Sequence, residues 1–270
     1  MPQIRPAAVA GAFYPSEKGI LAREVATLLA DAARTARWAG VPKAIVAPHA
    51  GYMYSGPVAA HAYASIRGAR DVIRRVVLLG PTHRVAVRGL AIPTVAAFAG
   101  PLGTVTIDRE ALALVSDLPQ VVQSDEAHAL EHSLEVQLPF LQTVLANFTL
   151  APFAVGRASP EQVAEVLERL WGGVETLIVV SSDLSHYLPY PVAQQMDGET
   201  VDAILRGEGG ISREQACGGT PLNGLLLAAR RHGLRPRLLD LRNSGDTAGD
   251  KSRVVGYCAV AFDAESADES

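Results

Sequence analysis

The chain has 270 residues, 49% hydrophobic and 19% charged, with a formal net charge of −4 and a mean hydropathy of +0.17. That balance is too apolar for a disordered chain and too polar for a membrane protein, and the length suffices to bury a core without disulfide staples. Lysine and arginine are scattered, dense only in the doublets Arg74-Arg75 and Arg230-Arg231, which argues against nucleic acid as a partner.

In chain order, a first helix is predicted from Ser16 to about Ala33, with Ile20, Leu21, Val25, Leu28 and Leu29 on its inner face. A strand follows at Lys43–Ala47, then a helix after Gly56-Pro57, then a strand at Arg75–Leu79. The run Gly89 to Phe98, followed by Gly100-Pro101-Leu102-Gly103, reads as a hairpin-like excursion, with another strand from Gly103 to Ile107. Asp108 reads as an N-cap. Ser159 with Pro160 and Gln162 reads as a capping box opening a helix through Val163, Val166, Leu167 and Leu170. A strand at Thr176–Val180, a helix opened by Thr220-Pro221 and closed by Gly233, and a strand at Val254–Phe262 complete the series.

Continuous apolar strands alternating with helices mean a largely parallel sheet covered on both faces. The expected fold is therefore α/β, a single domain over residues 1–264 with a central largely parallel sheet flanked by helices. The acidic stretch 265–270 is expected to be a frayed tail. No apolar run approaches the roughly 20 residues of a membrane-spanning helix. Cys217 and Cys258 fit a reducing cytoplasm better than a disulfide scaffold. Cys258 reads as core. Cys217, just ahead of a helix, is in a setting that can lower a thiol pKa, although an ordinary small loop residue is the favoured reading.

Three strands end alike, passing from apolar residues to a short polar segment with histidine: Pro48-His49, Thr82-His83, and Ser181-Ser182-Asp183-Leu184-Ser185-His186. Parallel strands would bring these tips to one edge of the sheet, where open α/β folds bind their ligands. A fourth cluster, Asp125 to Glu135, would place His128, Glu131, His132 and Glu135 on one helix face, either as a solvated stripe or as a wall of the same pocket. It also contains His128-Ala129-Leu130-Glu131-His132, the H-x-x-E-H string of inverted zinc proteases. Late in the chain, Asp246 in a turn-rich loop could complete two histidines into a 2-His-1-carboxylate set suited to non-haem Fe(II).

Taken in order, the strings Pro6 to Pro15, Ala47-Pro48-His49-Ala50-Gly51-Tyr52 with Tyr54-Ser55-Gly56, Leu79 to His83, Glu131 to Glu135 and Ser181 to His186 resemble the Memo family over nearly the whole chain. The resemblance includes its prokaryotic branch, AmmeMemoRadiSam system protein B. It implies a fold similar to the catalytic subunit of class III extradiol dioxygenases, which hold non-haem iron through two histidines and an acid. By that likeness His49 and His83 are metal ligands, His186 takes the acid-base position with Asp183 beside it, and His132 lines the pocket. Asp246 is the expected carboxylate ligand, with Asp250 as the alternative.

The implied cofactor is Fe(II), with Cu or Zn able to replace it, in redox or dioxygenase-like chemistry on a small substrate. Radical-SAM and AMMECR1-like proteins are the implied partners. Two other readings stand beside this one: a non-catalytic module binding a peptide or anion in the same cleft, and a zinc peptidase built on residues 128–132.

Overall fold

The computed structural model describes residues 3–35 and 40–264; the expected tail at 265–270 lies outside the described residues. The first half runs β1 (Ile4–Arg5), α1 (Lys18–Thr35), β2 (Ala44–Ala47), α2 (Tyr52–Ala64), β3 (Arg75–Pro81), β4 (Leu90–Ile92), β5 (Ala97–Gly100), β6 (Gly103–Thr106), α3 (Arg109–Ala113) and β7 (Val121–Gln123). The second runs α4 (Asp125–Ala129), α5 (Leu138–Val144), β8 (Thr149–Val155), α6 (Pro160–Arg169), β9 (Thr176–Ser181), β10 (His186–Leu188), α7 (Tyr190–Leu205), α8 (Gly219–Arg231), β11 (Leu234–Asn243), α9 (Ser244–Thr247) and β12 (Val254–Ala264).

The centre of the sheet is parallel, in the order β2-β9-β3-β8. Every residue of β2 and β9 is buried, as expected of strands covered on both faces. Antiparallel pairings flank it: β12 pairs with β2 and carries β10 and β11, while β4 pairs with β8; beyond β4, β7 joins in parallel. The sheet as a whole is thus mixed, with a parallel core of four strands and one further parallel pair, β4–β7, at its edge. The register sets Ala47 level with Ser181, and Leu79 level with Val180, so the three histidine-bearing tips share one edge. No helix among the described residues is long and apolar enough to cross a membrane.

Local chemistry explains most boundaries. Ser159 and Gln162 form the reciprocal capping box at the start of α6, and Asp108 accepts from the Ala111 amide to cap α3. The expected hairpin is β5–β6, with Gly100 opposite Gly103, and β1 extends it into a separate three-stranded sheet. Two helix starts differ from expectation. Helix α2 begins at Tyr52, because the Gly51 carbonyl already receives the Tyr54 and Ser55 amides; Pro57 inside it forfeits one early bond. Helix α8 is capped by Gly218 rather than Thr220.

The largest correction concerns residues 128–135, which do not form one helix. Helix α4 stops at Ala129, Leu130 is left 63% exposed, and Glu131, Ser133, Leu134 and Glu135 turn inward. Arg5 supplies the reason. Its Nε donates to the His128 carbonyl at 2.5 Å and its Nη2 to the Glu131 carbonyl at 2.7 Å, acceptors that a continuing helix would have used four residues on. Its Nη1 meets Glu135 Oε2 at 2.7 Å, with both side chains buried. Glu135 also accepts from the Ala8 and Val9 amides and from the Tyr14 hydroxyl.

Removing one partner of such a pair leaves an uncompensated buried charge. Arg5→Leu is therefore expected to lower unfolding free energy in urea by about 3–5 kcal/mol. Arg5→Leu with Glu135→Gln, which removes the unpaired charge and keeps one oxygen for Tyr14 and the Val9 amide but sets an NH2 against the Ala8 amide, should recover part of that loss.

Candidate metal centre

His49 follows β2, His83 follows β3, and His132 lies on the turn after α4. One ring nitrogen from each lies within 4.8 Å of the others, and the ring centroids are 5.2 Å (His49–His83), 5.4 Å (His49–His132) and 4.5 Å (His83–His132) apart. Close packing at the tip of β3 makes this possible: a Cβ on Gly80 would meet Ser133 Oγ at 2.8 Å and Leu134 Cδ2 at 2.9 Å.

The hydrogen bonds settle two tautomers. Ser181 Oγ donates to the Ser133 carbonyl at 2.6 Å and accepts from Gln137 Nε2 at 2.7 Å. A hydroxyl has one proton to give, so His49 Nδ1, 2.8 Å away, must donate to it. The lone pair of His49 is therefore on Nε2. His83 Nδ1 lies 2.9 Å from Glu131 Oε1, and its backbone amide donates to Oε2 at 2.6 Å. Burial opposes ionisation of Glu131, yet the bonds from His83 and Ser133 hold its carboxyl at about 2. An ionised carboxylate only accepts, so His83 likewise carries its proton on Nδ1 and its lone pair on Nε2. His132 Nδ1 faces the same carboxylate at 3.4 Å.

Burial, then the neighbouring imidazoles, pushes the pKa of His49 well below the usual histidine range, and His132 is lowered for the same reasons. Three imidazoles with ring nitrogens this close together, two of them oriented by a fixed partner on Nδ1, are the kind of donor set that metal sites use. The residues present thus fit a metal ion.

His132, Asp183 and His186 line one cavity of about 560 Å³, together with Tyr54, Tyr257 and Arg253. Asp183 accepts from the His49 amide at 2.7 Å, and burial raises its pKa. Beside His186, Tyr187 holds a left-handed φ of 57°, a strained conformation of the kind that gathers at functional sites. An equally large apolar cavity around Lys43, Val72 and Trp171 contains no histidine and flanks the opposite ends of the strands.

The two late aspartates are placed elsewhere. Asp246 Oδ1 accepts from the Tyr190 hydroxyl at 2.5 Å, and Oδ2 caps the Asn243 amide at 3.0 Å. Asp250 lines the cavity but folds onto Ser252. Among the described residues the group that could hold an ion is three histidines, not two and a carboxylate. The H-x-x-E-H string does not assemble either: His128 is buried, with Nε2 donating to the Ala91 carbonyl at 3.0 Å, and Glu131 orients His83.

Cys217, which the sequence places in a small loop, belongs to the site as well. Its Sγ is 3.3 Å from His49 Nε2, and burial, reinforced by Asp183, pushes its thiol up to about 12 rather than down. The signal for it was the run Cys217-Gly218-Gly219 before a helix, but nothing in that run names its partner.

A family model described as Memo-like protein matches residues 5–261. Similar relatives include MEMO1 family proteins of Sulfolobus acidocaldarius, 35% identical over 96% of this chain and 99% of that protein, and of Aeropyrum pernix, 37% identical over the same shares. A further MEMO1 family protein, from Aquifex aeolicus, is 35% identical over 96% of this chain and 99% of its own. The chain belongs to the Memo family. Among solved structures, the crystal structure of uncharacterized protein JW3007 from Escherichia coli K12 matches with a TM-score of 0.51 and 14% identity, covering 82% of this chain and 99% of that one. At that identity the likeness speaks for the fold.

A pH dependence follows from His128, whose Nδ1 is buried without a hydrogen-bond partner. Burial lowers its pKa to about 4. Unfolded, it takes a proton near 6.5, so between pH 6.5 and 4 the unfolded chain binds more protons and stability falls as pH falls. The loss amounts to roughly 3 kcal/mol, and His49 acts in the same direction. Thermal melts across this window should show Tm falling with pH, and His128→Gln should flatten the slope.

Proposed function

We propose that this chain is a metal-binding protein whose cleft holds one transition-metal ion on His49, His83 and His132, in redox or dioxygenase-like chemistry on a small substrate. The observation that carries this reading is the convergence of the three ring nitrogens within 4.8 Å. Imidazole donors suit iron, copper, nickel or zinc, and the neighbouring Cys217 thiol adds a softer one. The resemblance to class III extradiol dioxygenases favours Fe(II), while the general order of metal affinities makes copper and zinc its competitors. When bound, such an ion supplies Lewis acidity and open coordination positions.

The chain's own groups do the rest. Ser181 and Glu131 fix the lone pairs of His49 and His83. Asp183 and His186 face the same cavity, where they hold or take up a proton of the ligand. Tyr54, Tyr257 and Phe13 give it aromatic walls.

The test is elemental analysis of protein purified without oxygen or chelators. A single iron per chain is expected in the wild type, with loss in His49→Ala and His83→Ala. Asp246→Ala should retain it, because that carboxylate serves Tyr190 and Asn243. Glu131→Gln should weaken metal affinity about 10–100-fold by loosening the orientation of His83. Full metal occupancy in folded His49→Ala and His83→Ala proteins would sink the reading. No metal in the wild type, even after anaerobic Fe(II) addition, would leave the cleft as a module that binds a peptide or anion without reaction.

A further inference from the structure

Basic residues that are scattered along the chain are gathered in space beside His83. A cavity of about 510 Å³ is lined by Arg84, Arg88, Arg157 and Arg213, with no aspartate or glutamate in its wall. All four arginines are exposed, and among the described residues their guanidinium groups make no ion pair and donate no side-chain hydrogen bond. The carboxylates that reach its lining residues, Glu214 beside Arg213 and Glu131 behind His83, stay outside the wall itself.

The backbone builds this concentration of charge. Arg88 and Arg157 face each other in a β-bridge, in which the Gly89 amide donates to the Arg157 carbonyl and the Arg157 amide to the Val87 carbonyl, both at 2.8 Å. Gly156 permits the approach, since a Cβ there would meet the Val87 oxygen at 2.0 Å. Like charges set opposite one another on neighbouring strands repel, and the repulsion is relieved when a counter-charge enters between them.

We infer that this cavity is a binding site for the phosphate group of a small phosphate ester. Guanidinium forks match phosphate oxygens two at a time, and four of them call for at least a dianion; a single carboxylate would leave most of the charge uncompensated. Thr82 and His83 stand in the same wall, so the anchored phosphate directs the rest of the ligand toward the histidine cluster. That last step rests on the metal reading, whereas the anion site itself does not.

The experiment is isothermal titration of the full-length, metal-stripped protein with inorganic pyrophosphate at about 150 mM salt, where diffuse attraction is largely screened. Saturable binding is expected, weakened roughly ten-fold or more by Arg88→Gln and by Arg157→Gln, in variants whose Tm matches the wild type. His49→Ala should bind pyrophosphate like the wild type, so loss of the metal site and loss of the anion site are read separately. Absence of saturable binding, or equal binding by the arginine variants, overturns the proposal. So does tighter binding of citrate, or of a single-stranded oligonucleotide, than of pyrophosphate.

Discussion

The segment Glu131–Gln137 buries Glu131, Ser133, Glu135 and Gln137 within seven residues, and the rest of the site depends on satisfying them. A buried polar group without a partner costs more than a hydrogen bond returns, so each of these side chains must find an exact position on a different element. Glu131 takes the amide and ring of His83, and Ser133 reaches the Pro81 carbonyl at the tip of β3. Glu135 takes Arg5 and the amino-terminal segment. Gln137 joins Tyr63, the Pro48 carbonyl and Ser181. One short stretch thus ties together the tips of β2, β3 and β9, and His132 is carried into place by bonds its neighbours make.

Such a network strengthens its members together and loosens them together. It also separates two kinds of polar residue in the cleft. Glu131 and Ser181 have their hydrogen-bonding capacity taken up within the fold, in part by orienting imidazoles, whereas His132, Asp183 and His186 line the cavity. The first kind makes the histidine lone pairs converge; the second is available to a ligand. The arginines near His83 gather positive charge beside the cleft in a chain whose net charge is negative.

Much of the architecture was legible in advance, and for local reasons. Apolar β-branched runs marked β2, β3, β9 and β12, side-chain oxygens marked the starts of α3 and α6, and the change from apolar to polar at each strand end marked His49, His83 and His186. Where the reading failed, a distant residue had overridden a local pattern. Helical spacing over His128–Glu135 was real, but Arg5, more than 120 residues away in sequence, claims its carbonyls. Strand β8 went unread, with Pro152 in its middle, a residue that rarely occupies a central strand; it is nonetheless paired with Leu78 in register.

The sequence by itself determined the α/β class, the strand tips and the identity of the Memo family, because periodicity, caps and short motifs are properties of neighbouring residues. Only the tertiary structure decided that His132 rather than Asp246 joins His49 and His83, that Cys217 meets His49, and that four separate arginines share a cavity. Those outcomes turn on the register of non-adjacent strands and on which buried donor finds which acceptor, and neither is encoded within any one stretch of the chain.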